Sequence, residues 1–88
     1  MREFEYKGLT VAYDDKFIGG YTMAKAMARG NDDVSGFYGA LEKLYDGRDD
    51  EYAEHFGWDN DEMLALVRAT FEDAGEQAKN SVTSQPSK

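Results

Sequence analysis

Residues 2–13 constrain this chain more tightly than any other stretch. Lys7-Gly8 sits between two runs, Arg2 to Tyr6 and Leu9 to Tyr13, in which apolar and polar side chains alternate. A two-residue loop ending in glycine lets two such runs fold back on each other as a β-hairpin. With Lys7 and Gly8 as the turn, Tyr6 faces Leu9 and Phe4 faces Val11. One side of the ribbon then carries Phe4, Tyr6, Leu9, Val11 and Tyr13, and the other carries Glu3, Glu5, Thr10, Ala12 and Asp14. A one-residue slip would mix the two sets, so the pattern specifies register as well as pairing. A lone two-stranded ribbon is marginal in water. The rest of the chain must therefore cover its apolar side.

Beyond Tyr13 the sequence reads as helices. Asp14-Asp15-Lys16 leads through Phe17-Ile18 to Gly19-Gly20, a flexible joint, and Tyr21 to Arg29 predicts a short helix with Met23, Ala24 and Met27 inward, stopped by Gly30 and Asn31. Asp33 is placed to cap a second helix, in which Val34, Phe37, Tyr38, Leu41, Leu44 and Tyr45 form one stripe that ends at Gly47. Gly36 and Gly39 interrupt that helix, each costing about 1 kcal/mol relative to alanine. Asp49 to Phe56 predicts a weaker helix with Tyr52 and Phe56 on one side. Asp59 and Glu62 form a capping pattern for a last helix that buries Met63, Leu64, Val67, Thr70, Phe71 and Ala74. From Gly75 the apolar pattern fails, and Asn80 to Lys88 is a polar, Ser/Thr-rich stretch in which disorder is expected. The expected fold is α+β and mostly helical: an N-terminal β-hairpin packed on three or four short helices, one compact domain over 1–77, and a flexible polar tail over 78–88.

Composition narrows the function classes. A chain of 88 residues buries only about 60–65% of the surface its unfolded form exposes, so its stability margin is thin. Eighteen acids against ten bases give a formal charge of −8, which repels phosphate backbones and anionic lipid surfaces. No direct nucleic-acid binding is expected. The absence of cysteine rules out a disulfide framework and thiolate metal sites and suits a reducing compartment, so a cytoplasmic location is expected. The opening residues alternate charge with apolar side chains, and no apolar run reaches membrane-spanning length. Neither export nor membrane insertion is expected.

The residues offer little for catalysis. His55 is the sole histidine and has no cysteine or motif-placed serine to activate. It reads as a surface residue, and no enzyme activity and no cofactor are expected. The acidic clusters Asp14-Asp15, Asn31-Asp32-Asp33, Asp49-Asp50-Glu51 and Asp59-Asn60-Asp61-Glu62 invite a metal, but the stretch from Asp46 to Glu51 fails the calcium-loop pattern, with Arg48 at a ligand position and Glu51 where a glycine belongs. Each cluster instead sits before or at a helix start, where carboxylates cap free N–H groups. Gly19-Gly20 lacks the further glycines and the lysine of a phosphate loop. Tyr52, Phe56 and Trp58 are the candidate partner-binding aromatics, with core packing as the competing role.

The order of pieces carries a resemblance. Phe4-Glu5-Tyr6-Lys7-Gly8 opens the chain as a short ribbon, a helix comes next at Tyr21 to Arg29, and a second helix ends in Leu41-Glu42-Lys43-Leu44-Tyr45-Asp46-Gly47. An acidic Asp49-Asp50-Glu51-Tyr52 stretch and an acid-capped amphipathic helix from Glu62 to Ala74 complete the series. In this order the chain resembles the tail assembly chaperones of long-tailed bacteriophages. The resemblance implies a homo-oligomerising protein of the bacterial cytoplasm that binds the tape-measure protein and delivers tail-tube subunits around it. Such chaperones are commonly made in two lengths by a backward ribosomal frameshift, and Ala78-Lys79-Asn80 permits the slip-prone codons GCA-AAA-AAC, which makes Lys79 and Asn80 the expected shift point. The alternative is a small acidic inhibitor that mimics DNA and occupies a basic partner. The acids gather at helix starts and not along one face, which counts against it.

Overall fold

A computed structural model describes the backbone of residues 1–83 and the side chains of residues 1–76. Strands β1 (Arg2–Tyr6) and β2 (Leu9–Tyr13) are followed by five helices: α1 (Asp15–Ile18), α2 (Tyr21–Ala28), α3 (Val34–Leu44), α4 (Asp49–His55) and α5 (Asn60–Thr83). The hairpin has the expected register, Tyr6 opposite Leu9, Phe4 opposite Val11 and Arg2 opposite Tyr13. Lys7 and Gly8 both take positive φ, 49° and 80°, as the tight turn that matches strand twist requires. The Lys7 ammonium reaches across to the Glu62 carboxylate at 3.2 Å. That hydrogen bond and charge hold the Lys7 pKa above its ordinary value.

The ribbon's apolar side forms one wall of the core. Val11 and Tyr13 are fully buried against Ile18, Met23, Phe37, Ala40, Leu41, Leu44, Tyr45, Tyr52, Met63, Leu66 and Val67, with Phe4, Tyr6 and Leu9 packed at the margin. Every helix contributes, so the hairpin gains its stability from all five. Three tyrosine hydroxyls enter this interior and each is satisfied. Tyr13 donates to Asp73 Oδ2 at 2.7 Å, Tyr45 Oη and Thr70 Oγ1 lie 2.7 Å apart, and Tyr52 Oη accepts the Ala12 N–H at 2.8 Å. Among the described residues no buried side-chain polar atom lacks a partner.

The bond from Ala12 to Tyr52 explains one departure from the ribbon's two-sided pattern. Ala12 belongs to the polar side by alternation, yet it is buried, because Tyr52 brings α4 across the outer edge of β2. Just beyond, the Asp14 N–H donates to the Leu44 carbonyl at 2.8 Å. The free edge of β2 is therefore closed by a side-chain hydroxyl and by the end of α3, which removes a template for strand pairing with other chains.

The caps coincide with the acidic clusters. Asp14 Oδ1 accepts from Lys16 and Phe17 N–H groups, both at 3.0 Å. Asp33 Oδ1 accepts from Gly36 at 3.0 Å, and Asp59 Oδ1 from Asp61 at 2.9 Å and Glu62 at 3.3 Å. Helix α4 differs: its cap residue Arg48 makes no side-chain bond, and Asp49, Asp50 and Glu51 lie in the first turn instead, where they oppose the helix dipole.

Several boundaries and faces depart from the sequence expectation. Residues 15–18, expected as part of a connection, form the single turn α1, with Gly19 and Gly20 as the end of α1 and the start of α2. The inner face of α2 is Met23 with Ala26 beside it, while Ala24 and Met27 face out. On α3, Val34 and Tyr38 are exposed and Ala40 is buried; on α5, Leu66 is fully buried. Gly75 does not end α5, whose backbone continues to Thr83. The tail expected over 78–88, including Lys79 and Asn80, falls outside the described side chains, and 84–88 lie outside the described residues altogether.

Candidate interaction surfaces

The three candidate aromatics have different fates. Tyr52 is 1% exposed, its ring edge-on to Tyr45 at 5.4 Å, and it belongs to the core. Phe56 is half-buried and sits edge-on to Tyr6 at 6.0 Å, joining α4 to β1. Trp58 alone projects outward, 62% exposed. The structure thus separates a set that sequence spacing places together.

A strained turn holds Trp58 out. After α4, Gly57 and Trp58 take φ values of 68° and 63°, and the Trp58 N–H returns to the Ala53 carbonyl at 2.8 Å. Glycine tolerates this conformation freely; a bulky aromatic there is uncommon and unfavourable. Beside this turn, the Tyr38 hydroxyl bonds the Asn60 side chain. That contact ties the exposed Tyr38 of α3 to the start of α5, with Val34 also exposed one helical turn earlier on α3. Spacing on α3 marks both residues as apolar but not as outward-facing, so sequence reasoning misses this strip. Replacing Trp58 with glycine is expected to raise stability by up to about 1 kcal/mol by relieving the left-handed conformation. Urea unfolding followed by far-UV circular dichroism checks this, and a loss of 2 kcal/mol or more, roughly the scale of core truncations, would place the indole in the core.

A second surface lies between α2 and α3, where a groove of about 420 Å³ is lined by Tyr21, Lys25 and Arg29 on one side and Gly36, Gly39 and Lys43 on the other. Tyr21 is 78% exposed, and the Lys25 ammonium lies 5.8 Å from its ring centre. No signal in the sequence singles out this groove, because its members are spread over two helices and none stands out alone.

The chain matches no known family model, no curated protein and no solved structure. His55 is exposed, with Nε2 3.3 Å from the Lys7 carbonyl and its ring edge-on to Phe56 at 4.9 Å, so it braces the hairpin turn. Among the described residues no three histidines or carboxylates converge on a metal position. No described helix is long and apolar enough to cross a membrane.

Proposed function

We propose that this chain is a tail assembly chaperone of a long-tailed bacteriophage, which binds the tape-measure protein and brings tail-tube subunits to it in the bacterial cytoplasm, acting as a homo-oligomer. The observation that carries the reading is Trp58, held outward at 62% exposure two residues before Asn60, whose side chain the Tyr38 hydroxyl bonds. An exposed aromatic anchor, with further apolar residues exposed on α3, suits the binding of a long helical client. The charge of −8 supports the same reading, since it keeps such a surface soluble. The order of hairpin, helices and acid-capped last helix adds the resemblance. The inhibitor reading is weaker, because carboxylates of Asp14, Asp33 and Asp59 are engaged in helix caps.

The test is expression of the native gene with its downstream DNA, alone and together with the neighbouring tape-measure gene, read by intact mass and co-purification. The expected result is a second, longer product joined at Lys79-Asn80 and a complex with the tape measure that the Trp58→Gly variant weakens at least roughly tenfold, the scale of a single aromatic anchor. A single product of 88 residues with no tape-measure complex would overturn the reading.

A further inference from the structure

We propose that the groove between α2 and α3 is a docking site for an acidic, helical segment of a partner protein. The inference goes beyond the chaperone reading and does not depend on it. Its first support is charge. The chain has ten bases against eighteen acids, yet Lys25, Arg29 and Lys43 all line this one groove. Among the described residues the ion pairs are the Met1 amino group with Asp15 and Lys7 with Glu62, so none of the three groove cations is neutralised by a described residue. Asp33 and Glu42 also line it, so the groove carries three cations to two carboxylates, an excess of positive charge on a chain of net charge −8; the Asp33 carboxylate is already engaged by the Gly36 N–H as a helix cap.

The second support is Gly39. A β-carbon built there meets nothing within 4 Å, and its φ lies outside the left-handed region. No contact or dihedral inside the chain calls for glycine, although glycine weakens a helix interior. Gly36 is different, since a β-carbon there would collide with the Asp33 carboxylate that caps α3. An external body lying against the α3 backbone supplies the missing reason at Gly39 and is of the kind that small residues admit. Lys25 and Arg29 are one helical turn apart, so carboxylates one turn apart on an incoming helix meet them at matching spacing. Tyr21 closes the end of that wall as an aromatic contact. Nucleic acid is the poorer occupant, because a continuous phosphate chain would run beyond the three groove cations onto a protein of net charge −8, whereas a peptide can confine its carboxylates to the groove.

The experiment uses the full chain and a fluorescein-labelled helical peptide of alanine with glutamate at every fourth position, followed by fluorescence anisotropy at physiological salt. A peptide with glutamine in place of glutamate is the reference. The glutamate peptide is expected to bind at least roughly tenfold more tightly than the glutamine peptide. K25E/R29E and, without any change of charge, Gly39→Leu are each expected to weaken it roughly tenfold or more. K16E/R68E, which makes the same change of charge elsewhere on the surface, is expected to leave binding within about twofold. Trp58→Gly is expected to leave it unchanged, which keeps this site distinct from the chaperone surface. Gly39→Ala provides a folded control with a raised unfolding midpoint. Equal weakening in K16E/R68E would overturn the proposal. So would displacement of the peptide by a single-stranded oligonucleotide. Homo-oligomers of the chain that the groove variants dissolve, with no peptide binding, would make a second copy the occupant and overturn it as stated.

Discussion

Changing Tyr52 to alanine is expected to remove about 3–5 kcal/mol of stability, the range for deleting a large buried ring. A domain of this size has roughly 4–13 kcal/mol in all, so the variant stands at or near the edge of folding. Two separable parts make up the loss. Tyr52→Phe keeps the ring against Tyr45 but strips the hydroxyl from the Ala12 N–H, leaving a buried edge group unpaired at about 1–3 kcal/mol. The remainder is packing. Urea titrations of the two variants separate them, and an unchanged slope would show that the native and unfolded states keep their compactness. Tyr52→Ala is also expected to self-associate at high concentration, since losing the ring together with the hydroxyl reopens the edge of β2. A loss below about 1 kcal/mol for Tyr52→Ala would contradict α4's role in closing that edge, because truncation of a buried ring exceeds this.

The second large effect centres on Tyr45 and Thr70. Thr70 Oγ1 is bonded both to the Tyr45 hydroxyl and to the Leu66 carbonyl at 2.8 Å. Thr70→Val strands the phenol in the core at about 1–3 kcal/mol, whereas Tyr45→Phe leaves Thr70 its carbonyl partner and costs about 0.5–1.5 kcal/mol. The double variant is expected to lose less than the sum, and the shortfall measures the pair. Burial also holds the Tyr45 pKa well above the ordinary tyrosine value of 10.0. Burial, together with the hydrogen bond to Asp73, does the same for Tyr13. A phenol whose pKa is raised by folding leaves stability intact below pH 10 and lowers it above, as the unfolded chain ionises while the folded one resists. For Tyr45 the fall approaches about 1.4 kcal/mol per pH unit. Tyr45→Phe is expected to flatten that alkaline limb, as thermal melts across the range would show.

The parts of the fold legible in the sequence are those whose signals are local and redundant. Alternation about Lys7-Gly8 specifies the hairpin and its register, and Asp33 and Asp59 mark helix starts because a cap and an apolar stripe coincide there. Helix α1 is not legible because four residues are too few for a helical period, even with Asp14 capping it. The faces of α2 differ from expectation because Met and Ala occur all round that helix, leaving orientation to tertiary packing. Ala12 and Tyr52 illustrate a further limit. Their roles exist only across 40 residues of sequence separation, and a buried tyrosine and a binding tyrosine have the same letter. Trp58 is visible as a candidate, but its exposure arises from two successive left-handed residues that spacing does not reveal. The α2–α3 groove cannot be seen at all, since its cations become neighbours only when two helices pack.

The hairpin's partners also set a timetable for synthesis. Its contacts reach forward to Tyr52, Glu62 and Asp73, the last 60 residues beyond Tyr13. At about 5–20 residues per second, some 3–12 seconds separate the making of the ribbon from the making of the helix that covers it. Through that interval Phe4, Tyr6, Leu9, Val11 and Tyr13 have no complete core to enter. Glu3 and Glu5, interleaved with them on β1, put charge into the very segment most apt to pair with another nascent chain. The ribbon's polar side thus guards the unfinished protein before the apolar side can stabilise the finished one.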